Sequence, residues 1–211
     1  LGIACTAGDD FKRIIKECRV IDDIICYPLK VQYDIYALFA ARYRLHKQVY
    51  NHHAVVSYEF LIIDILKEIM KDNPPFMDLT DSAVTCRLHS KHHKTQLSID
   101  KRQHWRLAAE KCVDPKAEIN TRELCKIIDK AHGCWKFHTH TIGFVSGNKS
   151  NPLNSVWFYN PKSKDCKIKL DLKKNSFIIP EKYQETIMRI YVRDEKDKLA
   201  AEEFLTKHVK I

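Results

Sequence analysis

Arg42, His46 and Tyr50 stand four residues apart in the run YDIYALFAARYRLHKQVY, residues 33–50. That spacing lines three side chains along one strip of a helix. At about 100° per residue, Ile35, Leu38, Leu45 and Val49 form an apolar stripe, and Arg44, Lys47 and Gln48 fall opposite. Arg42 falls near the middle of the apolar stripe, with His46 and Tyr50 along its edge. An arginine placed there needs an anion, because an unpaired buried charge is very costly. A buried ion pair or a stem that snorkels to water would satisfy it. So would the phosphates of a nucleotide, which a planar guanidinium grips with two hydrogen bonds.

The elements that must position these residues are mostly helical. A helix over 11–20, capped at Asp9 or Asp10, would turn Ile14, Ile15 and Cys18 inward and Lys12, Arg13, Lys16 and Arg19 outward. Residues 21–31, with IICYPLK, read as a connector. The central helix can run to about residue 72, with a kink expected at 51–54, and Asn73-Pro74-Pro75 stops it. Thr80-Asp81 opens a short helix to about His89, SKHHKTQ reads as a loop, and 97–110 reads as helix. Helix is expected again over 118–131, and CWKFHTHTIGFV then alternates as a strand. Trp135, Phe137, Thr139 and Thr141 take one face; Cys134, Lys136, His138 and His140 take the other. A loop at 146–152, a hairpin of 156–159 with 166–170, and helices over 180–192 and 197–208 complete the reading. The expected class is α+β, mostly α: a helical part, 1–111, and a smaller lobe of antiparallel strands and helix, 112–211.

Three regions look like chemistry and carry weaker signals. His89, His92 and His93, and the strand pair His138 and His140, could hold a metal, but a solvated loop and a polar strand face fit their spacing better. The 146–152 turn lacks the GK[ST] of a phosphate loop. The eight cysteines show no C-x-x-C and read as reduced thiols.

The central run also resembles a known family. Tyr36, Leu38, Phe39, Arg42, Leu45, His46, Tyr50 and His52 match the YxLFxxRxxLHxxxYxH helix of the SAM-and-HD-domain deoxynucleoside triphosphate triphosphohydrolases. Leu1-Gly2-Ile3 with Phe11-Lys12-Arg13, the run NPLNSVWFY and the run IIPEKYQETIMRIYVR resemble further family segments, the last two its closing strand and helix. The resemblance covers most of the chain and is weakest over about 73–147. It implies an enzyme that releases triphosphate whole from a dNTP, with Arg42 on phosphate, His46 beside it as donor or proton carrier, and Tyr50 against the deoxyribose. It implies a regulatory nucleotide, dGTP or GTP, touched by Arg13, Lys30, His52, Arg102 and Lys162. Pro28 stands where the family has an arginine, and Asp34 where it has asparagine. Its divalent metal (Zn, Fe, Mg or Mn) is held by His and Asp residues of an HD motif, and no HD dipeptide occurs in this sequence. The chain therefore corresponds to the C-terminal portion of such an enzyme, with no catalytic residue of its own, and is expected to be inactive alone. A dimer or tetramer bridged by nucleotides is expected of the parent.

Composition sets limits on these readings. The chain has 211 residues, 45% hydrophobic and 30% charged, and a formal net charge of +9. Polyanions are the favoured partners. An alternative function is a non-catalytic basic module that binds single-stranded nucleic acid or mediates oligomerisation. No run is apolar enough to span a membrane and no secretory signal is read, so an intracellular site, nucleus or cytoplasm, is expected.

Overall fold

The computed structural model describes residues 7–71, 74–91, 93–114, 117, 119–131, 134–143, 151–170 and 183–209. Leu1-Gly2-Ile3, Asn73, His92, the 146–150 loop and Pro180-Glu181 lie outside the described residues. The fold is α+β and mainly helical, with two small sheets among the described residues, one of four strands and one of three. It divides into two compact units that interleave in sequence: residues 1–49 with 141–186, and 50–140 with 187–211.

In the first unit, helix α1 (Ala7–Glu17) begins earlier than the expected cap, so Asp9 and Asp10 lie inside it. The expected connector is a hairpin, β1 (Arg19–Ile21) and β2 (Ile24–Pro28). Its two-residue turn puts Asp22 and Asp23 at φ 47° and 58°. A turn with both central residues left-handed matches the twist of the strands, and aspartate tolerates that region. β2 then pairs in parallel with β5 (Trp157–Asn160), Cys26 opposite Trp157, and β5 pairs antiparallel with β6 (Ser163–Lys169). The hairpin at 156–170 is as the sequence predicts. A short 3-10 turn leads from β2 into α2 (Gln32–Leu45). Ile14, Val31, Ile35, Leu153 and Phe158 form the core here.

The second unit carries α3 (His53–Met70), α4 (Asp81–Lys91), α5 (His93–Asp100) and β3 (Arg106–Val113). It also holds α6 (Thr121–Ala131), most of β4 (Trp135–Gly143) and of β7 (Gln184–Val192), and α7 (Lys198–His208). Three sequence expectations fail. SKHHKTQ is not a loop: α4 runs to Lys91 and α5 opens at His93. Residues 97–110 are not one helix, because α5 stops at Asp100 and Arg106 begins a strand. RLAAEKC is rich in helix formers, but Ala108, Ala109 and Val113 are buried in the core with β4, β7, α6 and α7, and packing outweighs that weak preference. The expected closing helix over 180–192 is strand β7 from Gln184. As the middle strand it is buried on both faces from Ile187 to Val192, so it shows an unbroken apolar run in place of alternation.

Successive residues of β7 serve two cores. Met188, Ile190 and Val192 join α6 and α7. Tyr191 packs with Val56 and Leu61 of α3 and with Trp105. Arg189 lies in phase with Tyr191, on the face toward α3. β4 alternates as expected, with Trp135 and Phe137 in the first core. Its other face is turned toward α3 as well: the His138 ring lies 6.3 Å from Phe60.

Candidate functional site

α2 forms where Ile35 and Ala41 are buried. It ends in a π turn over His46–Tyr50, then Asn51, before α3 starts at His53. The kink expected at 51–54 is this junction. Such single π turns are rare and gather at functional sites. Arg42 is exposed, so the charge that the spacing places on the apolar stripe is carried out to solvent. His46 opens the π turn and is half-buried. Burial, and after it the charge of Arg42, hold its imidazole below the usual 6.5. The ring is neutral at neutral pH, with one nitrogen to donate and one to accept.

On the same helix, Tyr43 donates its hydroxyl to Glu185 Oε1 at 2.8 Å. Lys47 donates to that oxygen at 2.7 Å and to the Tyr43 oxygen at 2.9 Å. The bonds to Glu185 and then Tyr43 raise the Lys47 ammonium well above its usual range, so it stays charged. Sequence reading missed this trio, since Glu185 was placed on a helix.

The basic residues of the first unit border a cleft of about 280 Å³, lined by Lys16, Glu17, Cys18, Arg19, Pro28, Lys30, Tyr159 and Pro161. Its lining holds three cations, Lys16, Arg19 and Lys30, and one carboxylate, Glu17. Glu17 pairs with Lys30 and, at 3.9 Å, with Arg13, which also meets Asp34 at 3.5 Å. Thus Asp34, the departure from the family pattern, is offset by the arginine beside it. Tyr159 donates to the Glu17 backbone carbonyl at 2.8 Å, and the Arg19 guanidinium lies 5.5 Å from the Tyr159 ring centre. Lys162 follows Pro161 in the β5–β6 turn, exposed, with its amide bonded to Asn160 Oδ1 at 2.9 Å. Of the residues singled out from sequence, the structure brings Arg13 and Lys30 together through Glu17, places Lys162 next to a lining residue, and sets Arg42 beside His46.

Tyr50, His52 and Arg102 belong to the second unit. Tyr50 is 55% exposed. His52 caps α3, its Nδ1 accepting the Ala54 amide at 3.3 Å. Arg102 is exposed in the turn after α5 with φ 54°, and not on a helix as expected.

No family profile matches the sequence. The chain is nonetheless a relative of HD-type, dNTPase-like proteins. It is 28% identical over 208 residues to the deoxynucleoside triphosphate triphosphohydrolase SAMHD1 homolog of Dictyostelium discoideum, covering 89% of this chain and 40% of that protein. It is 26% identical over 236 residues to an HD domain-containing protein of Acanthamoeba polyphaga mimivirus, covering 90% of this chain and 49% of the other. The chain thus spans less than half the length of either relative. A hypothetical protein from Aquifex aeolicus has the same fold, with a TM-score of 0.61 and 17% identity over 93% of this chain and 51% of its own.

HD-domain relatives imply a divalent metal. Among the described residues no three His, Cys, Asp or Glu side chains gather to hold one. The Nδ1 atoms of His138 and His140 lie 3.2 Å apart, within hydrogen-bond distance. The described residues do not assemble a metal centre. Among them, no helix is long and apolar enough to cross a membrane.

Proposed function

We infer that this chain carries nucleotide-contacting surface of a dNTP triphosphohydrolase. The observation that carries the reading is the α2 run itself: Tyr36, Leu38, Phe39, Arg42, Leu45 and His46 occur at the family spacing, and the helix changes to a π turn where His46 and Tyr50 fall. In the reaction water attacks the α-phosphorus, the bond from that phosphorus to the nucleoside 5′-oxygen breaks, the 5′-oxygen takes up a proton released by the water, and triphosphate leaves whole. In it Arg42 grips phosphate oxygens with its planar fork, and His46, neutral and one turn away, donates to the same anion. Tyr50 packs on the deoxyribose. Arg13, Lys30 and Lys162 hold the phosphates of an activating GTP or dGTP, with His52 and Arg102 further contacts to it. In the whole protein these contacts join copies into a dimer or tetramer.

The test is triphosphate release from dGTP by the protein at its full natural length, with Mn²⁺ or Mg²⁺ and GTP, alongside dGTP binding by the 211-residue chain. Arg42→Ala is expected to lose about 100-fold or more in turnover, as loss of one charge-stabilising donor does elsewhere, with the melting temperature unchanged. Full turnover in that variant removes Arg42 from the site. A second reading, single-stranded nucleic acid binding without catalysis, is favoured by Trp157, with Lys169 and Lys167 at 4.7 and 5.4 Å from its ring centre. It requires RNA binding that falls steeply with salt and ignores Arg42→Ala.

A further inference from the structure

Arg189 is the one strong charge that the sequence hides in the run TIMRIYV. Its side chain is 6% exposed. Nε donates to Glu110 Oε2 of β3 at 2.6 Å, and Nη1 donates to the backbone carbonyl of Asn51. Asn51 directly follows Tyr50 and precedes the α3 cap, His52. The α3 amide at Val56 is spent on the His52 carbonyl, 3.1 Å away. The Asn51 carbonyl lies one residue outside that ladder, and its donor is the arginine.

The groups around Arg189 fit a fixed cation. Burial first, and the Arg189 charge among the smaller causes, hold the imidazoles of His53 and His138 below their usual value. Burial pushes the Tyr191 hydroxyl up to about 12 against the pull of Arg189. Two neutral rings, a neutral phenol and the Glu110 carboxylate therefore surround the Arg189 guanidinium. A buried guanidinium bound in two directions is a stiff clamp, because its planar donors leave little rotational freedom.

We propose that Arg189 is a positioning residue for the substrate site: it pins the backbone beside Tyr50, at Asn51, to strand β7 and so fixes where the Tyr50 ring meets the deoxyribose of a bound dNTP. This rests on the reading of Tyr50 as the deoxyribose contact. The sugar contact would then be set by a side chain that touches no ligand.

Two measurements on the 211-residue chain test this. The first is amide hydrogen exchange over residues 50–54 in the wild type, Arg189→Gln, Glu110→Gln and the core control Ile128→Val, which lies on the α6 side of the sheet. Exchange there is expected to rise at least tenfold in Arg189→Gln, less in Glu110→Gln, and not at all in Ile128→Val. Unchanged exchange in both Arg189→Gln and Glu110→Gln overturns the pin, and Glu110→Gln decides the matter if Arg189→Gln does not fold.

The second is the ratio of dGTP to GTP affinity. Arg189→Gln is expected to lower it toward the Tyr50→Ala value while Ile128→Val leaves it alone, which separates positioning from mere loss of stability. A ratio unchanged in Arg189→Gln but changed in Tyr50→Ala overturns the proposal. A ratio unchanged in Tyr50→Ala faults the sugar-contact reading instead, and the exchange result then stands alone on the pin.

Discussion

Glu17 in the first unit and Glu110 in the second each receive an arginine. Around Glu17 the partners are about half-exposed, Arg13 at 48% and Lys30 at 53%, and Lys30 borders an open cleft. Around Glu110 the partner, Arg189, is buried and also holds a backbone carbonyl. Ion pairs in water are worth little and exchange partners readily. A buried guanidinium has no such freedom, because every lost partner leaves a charge unsolvated. The same two residue types thus make a surface that can release its cations to an arriving anion and a joint that cannot move. Burial decides which of the two results.

Removing the carboxylates should separate the regions most sharply. Glu110→Ala strands Arg189 and is expected to cost about 2 kcal/mol in denaturant unfolding. That is below the roughly 3–5 of a fully buried pair, because Glu110 itself is 43% exposed. Glu17→Gln should change stability by about 0.5 kcal/mol or less. Equal losses in the two variants would erase the distinction.

Acid is the next probe. His53 and His138 have folded-state values lowered from 6.5, with burial the leading cause. The unfolded chain therefore binds protons that the folded chain refuses, so stability is complete above about pH 6.5 and is lost as pH falls toward the lowered values. His138→Gln should flatten that slope, read as the denaturant midpoint against pH. A slope unaltered by the substitution would mean that this region's histidines are solvated after all.

The smallest effect is on binding. Glu17→Gln frees Lys30 and leaves Arg13 only its Asp34 partner, and is expected to tighten dGTP several-fold at low salt, with the gain fading as ionic strength rises. Weaker binding would mean that Glu17 orients the cleft and does not merely occupy it.

Much of this was legible in the order of residues, for definite reasons. The α2–α3 junction fell where expected, since some 40 residues of unbroken helix is improbable in a globular protein. The β5–β6 hairpin announced itself through Pro161-Lys162-Ser163 between apolar runs. Strand β4 showed true alternation. β3 and β7 did not, because Ala, Leu, Glu and Lys favour helix until a sheet buries them, and because a strand covered on both sides has no polar face to show. Arg42 was read as facing the apolar stripe, yet it is exposed: a seven-atom side chain reaches water from a position whose Cα looks inward. Arg189 was invisible once its segment was read as helix. A lone arginine among β-branched and aromatic residues was the signal that could have found it.

The pairing of β2 with β5 bears on how the molecule comes into being. Cys26 finds its neighbour only when Trp157 exists. The other sheet likewise waits for its middle strand, β7, to be made. A chain emerging from the ribosome as far as residue 140 has completed neither sheet, and each must close a long loop before its contacts repay the lost entropy. The two units are therefore born together, late, with unpaired strand edges on display in the meantime.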